Sequence, residues 1–412
     1  MKSSRLLIEH QCPQCGAPAT LEETDHLFTC SFCRVKSYLL SRVYRYVMPH
    51  KADGGRELLY LPYWRFKGML FNCTERGLDH RLVDVSYRGV ESPHVPVSVG
   101  LRSQTQKLRF LTPETGGRFL QPEVSYADML DRIRDRFGRG GGSSLFHQAF
   151  IGETLSILYA PFYVDGKLFD AVLNRAISPP LGADFDLEEK PGGRPTWELR
   201  FVPAQCPECG WDLEGERDSF ALGCRNCNSV WHAGKRRFTK LEFGHLPPED
   251  GGGDTLFLPF YRIRPKVSGV TLDTRADLVR LANLPVAVTE AMEERPFQFW
   301  APAFKVRPQD YLRFSLRTTL GQPPGKGEDR LPEGEVYPVT LPVTEALESL
   351  KLNLASFMKP PRKLYPRLPE IGIEPKRIAL TYLPFQVKRN EVLYPPCRLR
   401  INRNLLVYGR QL

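Results

Sequence analysis

Apolar and aromatic residues gather in strand-length runs, and several of these runs carry a proline inside them. LLYLPYWRFKGMLF (58–71) is the first, with Pro62 in its interior. A proline removes a ladder donor, so this run is expected at an edge, a bulge or a bend. LVDVSYRGV (82–90) has a β pattern and should pair nearby, and LRSQTQKLRF (101–110) alternates weakly. In VSYADMLDRIRDRFG (124–138) the period changes. Ser125 and Asp128 have capping-box spacing, Leu130, Ile133 and Phe137 recur at helical spacing, and Gly138 can end the helix. GRGGGSS (138–144) reads as a linker loop, with no lysine after it to make a phosphate-binding loop. TLSILYAPFYVDGKLFDAVL (154–173) predicts two strands around an Asp165-Gly166 turn. SPPLGADFDLEEKPGGRP (178–195) is polar and rich in Pro and Gly, as a domain boundary would be.

The second half keeps the same order. LFLPFYRIRPKVSG (256–269) matches the first proline run, with Pro259 lying 197 positions after Pro62. KVRPQDYLRF (305–314) aligns with LRSQTQKLRF, and TEALESLKLNLASFM (344–358) predicts a helix in the place of the first. IALTYLPFQVKRNEVLY (378–394) matches the 154–173 hairpin, with Pro384 lying 223 positions after Pro161. A displacement that only grows along the chain points to duplication followed by insertion. The expected fold is therefore α+β, in two duplicated halves. Each holds a small metal ribbon and a mostly antiparallel sheet with one main helix. The expected boundaries are a ribbon at 1–45, a β-rich domain at 46–177, a linker at 178–199, a second ribbon at 200–240 and a second β-rich domain at 241–412. The shared Pro-aromatic strands read as buried structural corners, because they are mostly apolar.

Composition narrows the class. The 412 residues are 42% hydrophobic and 25% charged, as in ordinary globular domains. The start, MKSSRLLIEHQC, does not have the form of a signal peptide, and no apolar run is long enough for a membrane helix. Ten cysteines, most of them in metal spacing, fit a reducing cytoplasm. The net charge of +10 is concentrated late: from Lys359 to Leu412 there are twelve Lys or Arg against three Glu. In CRLRINRN (397–404), strand alternation would put Arg398 and Arg400 on one outward face, with Leu399 and Ile401 packed inward. Lys388 and Arg389 at the preceding turn would extend a patch able to hold polyanions weakly through charge. The alternative is a solvated basic edge that resists aggregation.

The strongest local signal is a cysteine pattern that occurs twice. Cys12 and Cys15 are followed after fourteen residues by Cys30 and Cys33; Cys206 and Cys209 are followed, after fourteen again, by Cys224 and Cys227. Each set offers four soft ligands at the reach of one tetrahedral ion, so two structural zinc ions are expected. The alternatives are unrelated cysteines or disulfides. Cys73 and Cys397 stand outside both sets and read as small buried residues. His10, His26 and His232 lie near the ribbons, but the complete four-cysteine sets leave them no ligand role to fill.

CPQCG and CPECG resemble treble-clef and zinc-ribbon knuckles, with Gly16 and Gly210 at the left-handed position. The second pairs depart from that form. Arg34 and Asn228 stand where glycine is usual, and Arg tolerates the left-handed region poorly, so the first ribbon's second knuckle is expected to be distorted. A ribbon followed by LPYWRFKG is also similar to bacterial tandem zinc-ribbon proteins of unassigned role. Such proteins are often labelled loosely after a primosomal helicase, but the helicase's phosphate-binding loop is missing here, so that activity is not implied.

No motif for a nucleophile, a dinucleotide or a catalytic metal stands in the chain. An all-cysteine zinc site has no open position for water. Glu188-Glu189 and Glu293-Glu294 lie in polar stretches and read as solvated. The leading expectation is a cytoplasmic scaffold or adaptor for a protein partner, without catalysis. The second is a nucleic-acid binder that uses the ribbons and the basic C-terminal segment, or an anionic surface bound through that segment. The third is an enzyme with a site between the halves. The first leads because only Arg217 lies between Cys209 and Cys224, and no Lys or Arg lies between Cys15 and Cys30. KRRF (235–238) is a hint the other way.

Overall fold

The computed structural model describes residues 6–40, 43–52, 55–100, 106–138, 144–182, 185–197, 199–234, 237–248, 254–325 and 327–410. The fold is mixed α+β with several sheets. It divides into two compact units: Met1–Lys67, Val83–Phe137 and Glu153–Ala204 form one, and Gly68–Leu82, Gly138–Gly152 and Gln205–Leu412 form the other.

The sheet of the first unit runs in the order Gly192–Gly193, Arg118–Leu120, Leu59–Thr74, Leu145–Val164, Tyr44–Val47, Leu108–Phe110, Leu7–Gln11, Pro18–Glu22. From Leu59 to Phe66 every side chain is buried, so this strand is covered on both faces. That explains why its sequence reads as a continuous apolar run rather than an alternating one. Leu61, Tyr63, Leu158 and Phe162 lie in its core. The helix Tyr126–Gly138 starts as its sequence predicts: the Asp128 amide donates to Ser125 Oγ at 3.2 Å, and the Ser125 amide donates to Asp128 Oδ2 at 3.3 Å. Met129 and Ile133 are its buried positions.

In the second unit Thr255–Ser268 pairs antiparallel with Gly372–Lys388 from Thr255↔Gln386 to Ser268↔Gly372. Phe299–Pro302 flanks the first of these strands, and Glu391–Tyr394 with Leu399–Asn402 flanks the second. Two helices, Pro308–Gly321 and Leu350–Phe357, pack on this layer through a polar seam. Tyr311 donates to Ser349 at 2.9 Å, and Asn353 donates to Thr319 at 2.9 Å and to the Trp300 carbonyl at 3.0 Å.

Several expectations need correction. The proline runs are central strands, not edges. A strand residue's N–H and C=O point to the same flank, so a proline is tolerated wherever that flank changes neighbour. Pro62 O accepts from the Gly89 amide at 2.7 Å, just beyond the strand Gly77–Arg88. Pro161 O accepts from Ala171 at 3.0 Å, just beyond Lys167–Asp170, and Pro259 O accepts from Ala303 at 3.0 Å, just beyond Phe299–Pro302. The stretch expected as a linker, 178–199, is built into the first unit: Gly192–Gly193 pairs with Phe119–Leu120, and Leu187 is fully buried. Its polarity reflects turns, not independence. The 305–314 and 101–110 segments do not correspond. Pro308 opens the helix Pro308–Gly321, whereas Leu108–Phe110 is a short strand and residues 101–105 lie outside the described residues. The second unit also holds more than one main helix, including Arg275–Leu281 and Val343–Glu348. Most of the 138–144 loop lies outside the described residues.

The two units share pairing details. Tyr44–Val47 lies parallel to Ser156–Tyr159, and Phe243–His245 lies parallel to Leu380–Tyr382. The Met48 amide then reaches Tyr159 O, and the Leu246 amide reaches Tyr382 O, both at 3.0 Å. The Glu123 and Val124 amides converge on Gly89 O, as those of Thr340 and Leu341 converge on Ala303 O. Trp64 Nε1 donates to Val124 O at 2.8 Å, and the Tyr261 hydroxyl donates to Leu341 O at 2.9 Å. Asn174 and Arg398 take φ values of 52° and 50° at the same point of the following hairpin.

One buried charge cluster holds the first unit's ribbon loop. Arg65 is 2% exposed; it bonds Glu23 and grips Asp84 at 3.0 and 3.2 Å, while Lys67 reaches Glu23 at 3.2 Å. Burial alone would raise the Glu23 carboxyl. Arg65 and Lys67 outweigh it and hold the group below the ordinary carboxylate range. That contribution to stability is complete above the ordinary value of 4.5 and is lost as the pH falls below it. Arg65→Leu is expected to cost about 3–5 kcal/mol at neutral pH, because it strands a buried carboxylate. Arg65→Leu with Glu23→Gln should recover much of the loss. Urea denaturation of both variants checks this.

Candidate metal centres

Both cysteine sets are assembled by short hairpins. In the first, Leu7–Gln11 pairs with Pro18–Glu22 and Leu27–Thr29 pairs with Lys36–Leu39, so each Cys-x-x-Cys falls at a turn. In the second, Ala221–Cys224 pairs with Ser229–Ala233. The knuckle turns close alike. The Gly16 amide reaches Cys12 O and the Gly210 amide reaches Cys206 O, both at 2.9 Å, with φ of 73° and 74°. Arg34 adopts φ 60° and its amide reaches Cys30 O at 2.9 Å, so the expected distortion of that knuckle is absent. The turn's own hydrogen bond outweighs the modest left-handed cost for a non-glycine residue. Asn228 takes φ 52° and also ties its ribbon down: its amide donates to Asp329 O at 3.1 Å, and its Oδ1 accepts from the Leu331 amide at 2.8 Å.

The sulfurs test the metal reading directly. Cys12–Cys33 and Cys15–Cys30 are 3.8 and 3.7 Å apart; Cys206–Cys227 and Cys209–Cys224 are both 3.5 Å apart. Within each set, all four Sγ atoms lie within 4.8 Å of one another. A tetrahedral ion with bonds of about 2.3 Å places its ligands about 3.8 Å apart, whereas a disulfide needs about 2.05 Å. All ten cysteines are free thiols, so the two sets fit two metal sites. Neighbouring amides favour the charged form at Cys30 and Cys209, while burial and the adjacent thiols raise Cys33 and Cys227. The Cys33 backbone amide lowers Cys30 to about 6, and the side chain of Asn226, with the Trp211 amide, lowers Cys209 to about 6. Cys73 and Cys397 are buried, and burial pushes each thiol up to about 12.

The ribbon histidines sit beside the sets rather than in them. His10 stacks on Phe201 at 4.9 Å, and His26 Nδ1 meets the Tyr44 hydroxyl at 3.1 Å. His232 lies in the strand Ser229–Ala233.

Sequence reasoning missed what the knuckles present. Phe32 and Trp211 are 67% and 60% exposed, more than any other large apolar side chain among the described residues. Phe32 stands between two ligands of one turn, and Trp211 directly follows Cys209-Gly210. A turn of that length closed around an ion has no interior to hold a ring, and that was the legible signal. The charges near the second tip are paired, Lys240 with Glu208 at 2.6 Å and Arg225 with Glu214 at 3.1 Å.

The basic patch is only partly as expected. Leu399 and Ile401 are buried and Arg400 is exposed, but Arg398 precedes the strand in a left-handed turn. The residue after Pro395-Pro396-Cys397 must reverse the chain there. Lys388 and Arg389 are exposed, with Arg389 at φ 47° in the hairpin turn. Arg400 is held by Glu391 at 2.5 Å, which removes much of its reach toward a polyanion. Lys235 and Arg236 lie outside the described residues.

Comparisons with protein-family models, curated proteins and solved structures give no match.

Purified chain is expected to carry two zinc ions by elemental analysis. Cys12→Ser should lower this to one, with the second ribbon still folded by amide exchange. A chain with intact thiols that holds one ion or none would remove the metal reading.

Proposed function

We propose that this chain is a zinc-stapled cytoplasmic adaptor that binds a protein partner through its ribbon tips and catalyses no reaction. The observation that carries the reading is the exposure of Phe32 and Trp211 on turns closed by thiolate ligands. Aromatic rings held rigidly in solvent cost little entropy to bind and act as interface anchors. Zinc is the ion favoured by two closed four-thiolate sets. The paired charges near the second tip, and the Arg400–Glu391 bridge, favour a protein over a polyanion. No helix among the described residues is long and apolar enough to cross a membrane. We also infer that the halves arose by duplication. Four features support it: the repeated knuckles, the paired prolines, the parallel strands at Ser156–Tyr159 and Leu380–Tyr382, and the matched carbonyls of Val124 and Leu341.

Affinity capture from nuclease-treated lysate tests the adaptor reading. Wild-type protein should retain a partner that Phe32→Ala or Trp211→Ala loses by tenfold or more. Capture that disappears with nuclease would favour nucleic acid instead. The C-terminal basic residues Lys388, Arg389, Arg398 and Arg400 should bind DNA only weakly, with affinity falling steeply between low and physiological salt. Titration of wild type against Arg398→Glu/Arg400→Glu checks that outcome.

A further inference from the structure

The flanks of Pro161 and Pro384 differ in one respect. Beside Pro161, the Ala171 amide fills the gap by donating to Pro161 O, and the Lys51 amide donates to Ala171 O at 2.8 Å. Ala171 directly follows the strand Lys167–Asp170. The residue that directly follows Glu391–Tyr394 is Pro395, which has no amide hydrogen to donate. Tyr382 O accepts from Leu246, so Pro384 O, two residues on, faces the same flank. Among the described residues no donor reaches it.

A cavity of about 390 Å³ opens at this place, and Pro247, Pro248, Pro324, Pro384, Pro395 and Pro396 are part of its lining. The prolines supply carbonyls and ring faces but no N–H, while Thr255, Gln386 and Lys388 bring side-chain donors to the same wall. Two of the wall's amides are already used: Leu246 N bonds Tyr382 O, and Val387 N bonds Asp254 O at 2.8 Å. Tyr394 adds a ring, and the exposed Asp254 adds a carboxylate. Lys388 is exposed and also lines the cavity, across the hairpin from Glu391.

We propose that this cavity binds a guanidinium or alkylammonium group on a short carbon stem. The cation donates to Pro384 O and to the Asp254 carboxylate, while the stem lies on proline rings and Tyr394. The volume is at the small end of ligand sites, which suits one such group. This site is independent of the metal centres and of the adaptor reading.

The test is calorimetric titration of the full zinc-loaded chain with butylguanidinium and, separately, with acetyl-Gly-Arg-Gly-amide. Saturable binding of either at about millimolar concentration is expected. Binding of the small cation identifies a free ligand as sufficient; binding of the peptide alone identifies an arginine of a partner. Asp254→Asn, at an exposed position, should weaken binding at least tenfold. Pro395→Ala restores the amide that Ala171 supplies to Pro161, and it should abolish binding while leaving the melting temperature unchanged. Should Pro395→Ala fail to fold, Asp254→Asn still decides. Absence of saturable binding by both probes overturns the proposal, as does binding that Asp254→Asn leaves unchanged.

Discussion

Everything in this fold depends on keeping both flanks of a few long strands paired. Leu59–Thr74, Leu145–Val164, Thr255–Ser268 and Gly372–Lys388 carry Pro62, Pro161, Pro259 and Pro384, which cannot donate to a ladder; the further pair Pro265 and Pro375 sits opposite each other at a register irregularity. The solution is to place each of the first four where one neighbouring segment ends and another begins. The orphaned carbonyls of Pro62, Pro161 and Pro259 then receive an amide from the residue that follows a flanking strand. A strand interior to a sheet can thus hold proline without leaving a hole. The price appears only at Pro384, where a second proline occupies the donor position and a cavity remains.

The ribbons join this framework through apolar packing and polar ties together: Leu21, Phe28 and Leu39 lie in the first unit's core, and Ala221, Val230 and Leu241 in the second's. In the first, the loop after Pro18–Glu22 brings Glu23 to Arg65. In the second, Arg410 near the C-terminus grips Asp218 at 2.6 and 2.8 Å, and Asn228 is bonded to the Asp329–Leu331 segment. The charge pairs and side-chain amides add directional ties to that apolar packing. The Phe32 and Trp211 rings stay in solvent on the knuckle turns.

Two four-cysteine sets that fit metal sites and two exposed aromatic rings are the features on which the adaptor proposal rests. The buried ionisable groups are matched within the fold. Buried Arg65 and Glu23 satisfy each other, with the exposed Asp84 as a second partner of Arg65, and the Cys73 and Cys397 thiols are held neutral by burial.

Much of this was legible in the chain itself. Cys-x-x-Cys spacing, the Asp165-Gly166 turn, the Ser125–Asp128 cap and the strand-length apolar runs are local, and local chemistry determined them. The sulfur geometry and the matched knuckle turns follow from the same few residues. Tertiary structure decided what depends on distant neighbours. Pro62 lies in a central strand because Gly89 supplies its carbonyl with a donor. The 305–314 segment is helical because Pro308 starts a helix that packs on Trp300 and Asn353. Residues 178–199 look like a linker, yet Leu187 is buried through contacts that sequence adjacency cannot display. Arg65 sits in the interior because Glu23 and Asp84, far along the chain, are brought to it. A hydrogen-bond donor, an opposite charge or an apolar cover can come from anywhere in the chain, and only the folded arrangement specifies which residue provides it.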